Sequence, residues 1–120
     1  MITIYNRLQF FLLMSRSRFF MPQPSLPSET RAHVIITGIV QGVGYRVSTF
    51  HQAQRLNIAG WVRNLPDGKV EAVFEGTQEA VNAIVGWCHQ GPRGARVENV
   101  TLDFQTPQGE LGFEIRRGNG

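Results

Sequence analysis

The sequence predicts one α+β domain whose segments run strand, helix, strand, strand, helix, strand. Three observations carry that expectation. Val34, Ile36 and Val40 fall on one face at the period of a strand, and Val70, Ala72 and Phe74 do the same later in the chain. Val47, Phe50, Ala53 and Leu56 recur at helical spacing, as do Val81, Ile84, Val85 and Cys88. Turn residues separate these runs, with Pro66-Asp67-Gly68 between two strands and Gly91-Pro92 after the second helix. Two helices on one face of a mostly antiparallel sheet, in this order, make a ferredoxin-like βαββαβ sandwich. A chain of 120 residues has room for one such domain.

The first 31 residues differ from the rest. Phe10 to Met14 is apolar but far shorter than a membrane span. The leading charges and small-residue cleavage site of a signal peptide are missing. Pro22, Pro24 and Pro27 cannot lie inside a helix or a central strand. Residues 22–31 therefore read as an extended, mobile linker. Residues 1–31 read as a basic extension dispensable for folding and activity, with the domain spanning 32–120.

Within the domain a first strand runs from His33 to Val40. The helix after it buries Val47, Phe50, Ala53 and Leu56 and stops at Asn57. Ala59 to Leu65 forms a second strand, joined by the Pro66-Asp67-Gly68 turn to a third. In that third strand Val70, Ala72 and Phe74 face the core, and Glu71, Val73 and Glu75 face water. Thr77 caps the second helix, with Glu79 favourable in its first turn. A fourth strand points Val100, Leu102 and Phe104 inward, and a short last one carries Phe113 and Ile115. Trp61 and Trp87 read as core or rim residues.

Charge and composition narrow the function. The formal net charge is +3, but Arg7, Arg16, Arg18 and Arg31 against Glu29 account for all of it. Residues 32–120 hold eight basic and eight acidic side chains, so the folded part is neutral. A nucleic-acid face needs clustered charge, and RNA recognition on such a sheet needs aromatics on the central strands. The first strand has none. No nucleic-acid partner and no stable membrane association are expected. Cys88 is the only cysteine, so no intrachain disulfide forms, and its place in an apolar stripe makes it a buried, inert thiol. His33, His51 and His89 have no second ligand at metal spacing, so no metal and no cofactor is assigned.

Two blocks carry the chemistry. In the first, Gly38-Ile39-Val40-Gln41-Gly42-Val43-Gly44-Tyr45-Arg46, a strand runs into a loop with two glycines and then into a helix start. Glycine lets the backbone turn sharply and approach a ligand closely. The free N–H groups of a helix start point toward negative charge, and arginine grips phosphate with a two-pronged fork. The third glycine of a dinucleotide fingerprint is missing, as is any Gly-Lys-Ser/Thr loop. The second block is Gly60-Trp61-Val62-Arg63-Asn64, continuing through Asp67-Gly68-Lys69-Val70 to Gly76. Asn64 offers an acceptor and donors without a charge that would repel phosphate. Arg63 alternates to the other sheet face and reads as solvated.

Together these blocks resemble the acylphosphatase family. Gly38 to Arg46 follows the family's first signature nearly residue for residue, and Gly60 to Gly76 follows its second. Tyr45 stands where the family usually carries phenylalanine. The resemblance implies the ferredoxin-like fold reached above and a metal-independent hydrolase that cleaves the carboxyl–phosphate bond of small acyl phosphates. It also implies that Arg46, with the loop Gln41, Gly42, Val43, Gly44 and Tyr45, holds the substrate phosphate. By the same resemblance Asn64 positions the attacking water, and a phosphate oxygen of the substrate serves as general base. Inorganic phosphate is then product and inhibitor, and the expected enzyme is a cytoplasmic monomer. The competing reading is a regulatory domain that binds phosphate or acyl phosphate with little turnover. The module also occurs as the front domain of larger carbamoyl-phosphate-handling maturation proteins, a reading disfavoured by the end of the chain soon after Ile115.

Overall fold

The computed structural model describes residues 29–118. Its elements are β1 (Glu29–Ile39), α1 (Tyr45–Leu56), β2 (Ala59–Asn64), β3 (Val70–Thr77), α2 (Gln78–Cys88), β4 (Arg96–Gln105) and β5 (Phe113–Ile115). The five strands are ordered β4-β1-β3-β2-β5. Neighbours are antiparallel except β2 and β5, which run parallel. This is the expected ferredoxin-like arrangement, with β5 added beside β2.

Alternation along the strands builds the core. Ala32, Val34 and Ile36 of β1 and Val70, Ala72 and Phe74 of β3 are fully buried under the helices. Burial of a side chain the size of Phe74 or Ile36 contributes about 2–3 kcal/mol each. Phe74 stacks on Phe113 with ring centroids 6.1 Å apart, which fixes β5 to the core. Helix α1 lies over β2 and β5, and α2 lies over β1 and β3. Asn57 ends α1 in the left-handed region at φ 59°, and Thr77 accepts a hydrogen bond from the Ala80 N–H at 3.1 Å to cap α2.

Several expectations need correction. The sheet begins at Glu29, three residues before the boundary set at 32, because Arg31 pairs opposite Glu75 and its side chain is buried. Residues 29–31 are therefore strand, not linker; residues 1–28 lie outside the described region. Helix α1 buries Tyr45, Thr49 and Ala53, which turns Val47 out to 53% exposure. Leu102 and Phe104 lie on the helix side of β4 but are 43% and 56% exposed. β4 is an edge strand, and α2 sits over β1 and β3 instead. Finally, the outer face of β3 is not wet. Val73 and Glu75 are buried there, beneath a layer of paired polar side chains and Trp61.

That layer includes Arg63, which is not simply solvated. Its guanidinium lies 5.3 Å from the centre of the Trp61 ring, and its Nε donates to Glu71 Oε1 at 2.7 Å. Arg116 approaches the same ring at 4.7 Å. His33 Nε2 lies 2.7 Å from the other oxygen of Glu71.

Candidate active site

The first block lies at the end of the sheet where β1 overhangs its neighbour. Ile36 pairs with Val70, and Val70 pairs with Asn64 across β3 and β2. The last residues of β1 therefore carry the chain past the row that holds Asn64 before it turns into α1. In that turn Gly42 and Gly44 adopt φ of 76° and 79°, whereas Val43 between them does not have positive φ. Alternation of this kind aims successive N–H groups into one concavity, the backbone geometry of an anion nest. A Cβ at either glycine would meet nothing within 4 Å, so the glycines answer to backbone conformation and not to crowding.

Helix α1 begins with no side-chain cap; its first closing bond is from the Ser48 N–H to the Gly44 carbonyl at 3.0 Å. The N–H groups of Tyr45, Arg46 and Val47 precede that bond and are left over by the helix. Arg46 sits in this first turn, half-buried, and forms no ion pair among the described residues. An arginine and orphan donors thus share the first turn of α1.

Tyr45 points the other way. Its ring is buried, 5.4 Å from Trp87 centre to centre, and its hydroxyl donates to the Cys88 carbonyl at 2.8 Å. Burial raises the hydroxyl pKa well above the usual tyrosine value, so it stays a donor. The added oxygen relative to phenylalanine is thus used to hold the end of α2. Burial also pushes the Cys88 thiol up to about 12, in keeping with an inert cysteine.

Asn64 closes β2 on the helix side of the sheet. Its Oδ1 is screened from bulk solvent and accepts a hydrogen bond from no described group. Such an orphan acceptor is uncommon in a folded interior. The chain at Gly118 lies against it, since a Cβ there would stand 2.5 Å from the Asn64 carbonyl oxygen. The turn beyond is closed by Leu65 N–H to Lys69 O at 2.8 Å and Gly68 N–H to Leu65 O at 3.1 Å. Gly68 has φ 94°, completing a three-residue hairpin loop.

Gln41 joins the two blocks. Its Nε2 donates to the carbonyls of Leu65 at 2.8 Å and Lys69 at 2.9 Å. All the residues named from the sequence therefore converge on one end of the sheet, but by different means. Gly42, Val43 and Gly44 offer backbone, Arg46 a charge, Asn64 an amide, and the side chains of Gln41 and Tyr45 serve the frame. Gln41 gave no sequence signal for this clamp, because its acceptors lie 24 and 28 residues away.

Comparison with known proteins identifies the family. The acylphosphatase family profile matches residues 32–115. The chain is 59% identical over 87 residues to an acylphosphatase of Natronomonas pharaonis, covering 72% of this chain and 95% of the relative. It is 55% identical over 87 residues to an acylphosphatase of Nostoc sp., covering 72% of this chain and 86% of that one. Among solved structures, an acylphosphatase from Coxiella burnetii superposes with a TM-score of 0.71 at 36% identity, covering 73% of this chain and 93% of that one. On the family match and these identities, this chain belongs to the acylphosphatase family.

Proposed function

We propose that this enzyme hydrolyses small acyl phosphates without a metal ion, with Arg46 and the 41–46 loop holding the phosphoryl group and Asn64 orienting the water. The single observation that carries this reading is the junction, at one end of the sheet, of a positive-φ glycine loop with an arginine and an amide acceptor that have no partner among the described residues. Carboxylate is a good leaving group, so the reaction needs little acid catalysis. It needs the phosphoryl group fixed, its charge stabilised and a water placed in line with the leaving oxygen.

The step balances with protein groups and substrate alone. Water oxygen attacks phosphorus while the phosphorus–oxygen bond to the acyl group breaks, its electron pair leaving on the carboxylate. The water proton passes to a phosphoryl oxygen, giving carboxylate and inorganic phosphate. Arg46 and the nest N–H groups stabilise charge on the equatorial oxygens. Asn64 Oδ1, with no donor among the described residues, is free to accept from the water and aim its lone pair. No His, Asp or Glu lies within Gly38–Arg46 or Gly60–Asn64, which fits a base supplied by the substrate.

Every group in this scheme comes from one chain, so we read the enzyme as a monomer, with inorganic phosphate as a competitive inhibitor; a cytoplasmic place of action is part of the same proposal. The regulatory alternative predicts phosphate binding with negligible turnover. Benzoyl phosphate hydrolysis by the purified full chain in excess chelator separates them. Sustained turnover supports the enzyme reading; tight phosphate binding without turnover overturns it, and activity lost to chelator and restored by metal removes the metal-independent part.

A further inference from the structure

We infer that Gln41 is a positioning residue that acts through Asn64, and not a ligand of the substrate phosphate; this rests on the mechanism proposed above. The argument begins with hydrogen counting. A glutamine amide nitrogen carries two hydrogens, and both are used, on Leu65 O and Lys69 O. What remains of the side chain is Oε1, an acceptor that an anionic phosphoryl group would repel. The side chain of Gln41 can therefore hold the frame or the phosphate, and it holds the frame.

The frame it holds is the one that carries the water. Leu65 follows Asn64 directly, and Leu65 and Lys69 are the pair whose own backbone bond closes the hairpin. The two carbonyls bonded to Gln41 thus belong to the first and last residues of the turn. The strands of this hairpin are paired on both sides, but the pairing stops at Ile36–Val70 and Val70–Asn64, and the turn beyond that row projects past the sheet. Tied also at its mouth to residue 41, it moves with the loop that leads to Arg46. Near-attack geometry demands that the water and the phosphorus keep a fixed separation, and small misplacement of such a pair is costly in rate. Gln41 sets that separation by joining the element that orients the water to the element that holds the phosphate.

This assignment separates two properties that a phosphate ligand would link. Loss of a ligand weakens phosphate binding. Loss of the clamp leaves the nest and Arg46 intact and lets the water wander, which lowers kcat with KM little changed. It also predicts dependence on Asn64: once the amide is gone, there is no water position left to preserve.

The test uses the full chain with Gln41→Met, which keeps the length and removes both donors, and Gln41→Glu, which sets a carboxylate against two carbonyls. Expected for both is a kcat lower by about 10- to 100-fold, the scale of a misplaced reacting group, and for the uncharged Gln41→Met the inhibition constant of inorganic phosphate stays within about threefold of wild type. In an Asn64→Ala background, Gln41→Met should lower kcat by less than about threefold further, since residues acting as a unit are not additive. A raised inhibition constant with unchanged kcat would overturn the assignment, as would an undiminished Gln41→Met effect without Asn64. If a variant fails to fold, a crystal structure of the wild type with inorganic phosphate decides the question. Nε2 bonded to Leu65 O and Lys69 O sustains the assignment, and Nε2 bonded to phosphate ends it. Wild-type inactivity toward benzoyl phosphate would instead refute the underlying mechanism, with this structure showing separately whether the clamp stands.

Discussion

Arg31 and Glu75 lie directly opposite each other on β1 and β3, with Nη1 2.8 Å from Oε2 and both side chains under one-tenth exposed. Neither is isolated. Arg31 also reaches Glu110 Oε2 at 2.9 Å and Gln105 Oε1 at 2.9 Å. Glu75 accepts the N–H groups of Gln108 at 2.6 Å, Gly109 at 3.1 Å and Glu110 at 2.9 Å. One carboxylate thus gathers the start of β1 and the segment between β4 and β5. Removing one member of a buried pair leaves the other uncompensated, at about 3 kcal/mol. A chain beginning at Glu29 should unfold near the full chain's midpoint, and one beginning at Ala32 should lose about that amount. Thermal or urea melts of the two truncations check this. Equal stability would show that Glu75 is satisfied by its three N–H donors alone.

The same carboxylate predicts an acid limb in stability. Burial alone would raise the Glu75 pKa, but the Gln108 N–H, the Arg31 guanidinium and the Glu110 N–H hold it below the ordinary 4.5. Glu71 is likewise kept low against its burial, by His33 and Arg63. A carboxyl with a depressed folded-state pKa stabilises fully above its unfolded value and loses that contribution as pH falls through the folded value. Stability should therefore be level with respect to these groups above about pH 5.5 and fall below pH 4.5. Replacing Glu75 with Gln should flatten the limb and lower the plateau. A Glu75→Gln protein with the wild-type acid profile would assign the limb to other carboxylates.

Much of this frame was legible in the sequence, and the losses have one cause. Asn57, Thr77 and the Pro66-Asp67-Gly68 turn act on backbone within a few residues of themselves, so their roles could be read locally. Periodicity placed Leu102 and Phe104 on the correct face of β4 but could not say that no helix lies over that edge. It placed Val73 and Glu75 on the outer face of β3 but could not reveal the cover that Arg31, Trp61 and Arg63 provide. For the site, residue types and spacing named Arg46 and Asn64. The clamp through Gln41 stayed hidden because nothing in a strand or turn pattern records a long-range side-chain bond.

The Tyr45 hydroxyl should matter for stability more than for rate. It meets a last-turn carbonyl of α2 in a buried place, one of those that a helix end leaves without an intrahelical partner. Tyr45→Phe should cost about 1–2 kcal/mol, the scale of leaving a buried acceptor unsatisfied, with kcat within about twofold. Gly91 tests the same contact from the other side. A Cβ there would lie 2.7 Å from Tyr45 Cε2 on a backbone with φ 68°. Gly91→Ala should therefore destabilise more than Tyr45→Phe, and calorimetry on the two variants checks the order.

Arg46 should be irreplaceable by lysine. A point charge cannot reproduce the fork, so Arg46→Lys should recover only a small fraction of wild-type turnover. Inorganic phosphate at a hundred times its dissociation constant should stabilise the wild type by about 2.7 kcal/mol through mass action. Arg46→Ala should lose most of that protection at the same phosphate concentration. Equal protection of the two proteins would place the anion elsewhere.

Asn64 separates catalysis from binding. Its orphan Oδ1 makes no structural bond among the described residues, so removing it should cost the fold little. If the amide acts by aiming the water, its contribution appears mainly in the transition state. Asn64→Ala should then lower kcat by about a hundredfold or more, the usual scale for losing an oriented polar group, with KM and phosphate affinity nearly unchanged. Asn64→Asp should be at least as poor, because its charge faces the phosphoryl group. The mechanism contains no histidine, so single replacements of His33, His51 and His89 should leave kcat nearly unchanged, and kcat should show no limb in the histidine range. The effect of His33→Ala should fall on stability instead, since it removes a partner of Glu71. An Asn64→Ala enzyme with normal kcat would transfer the water-positioning role to another group and leave the orphan amide without a function.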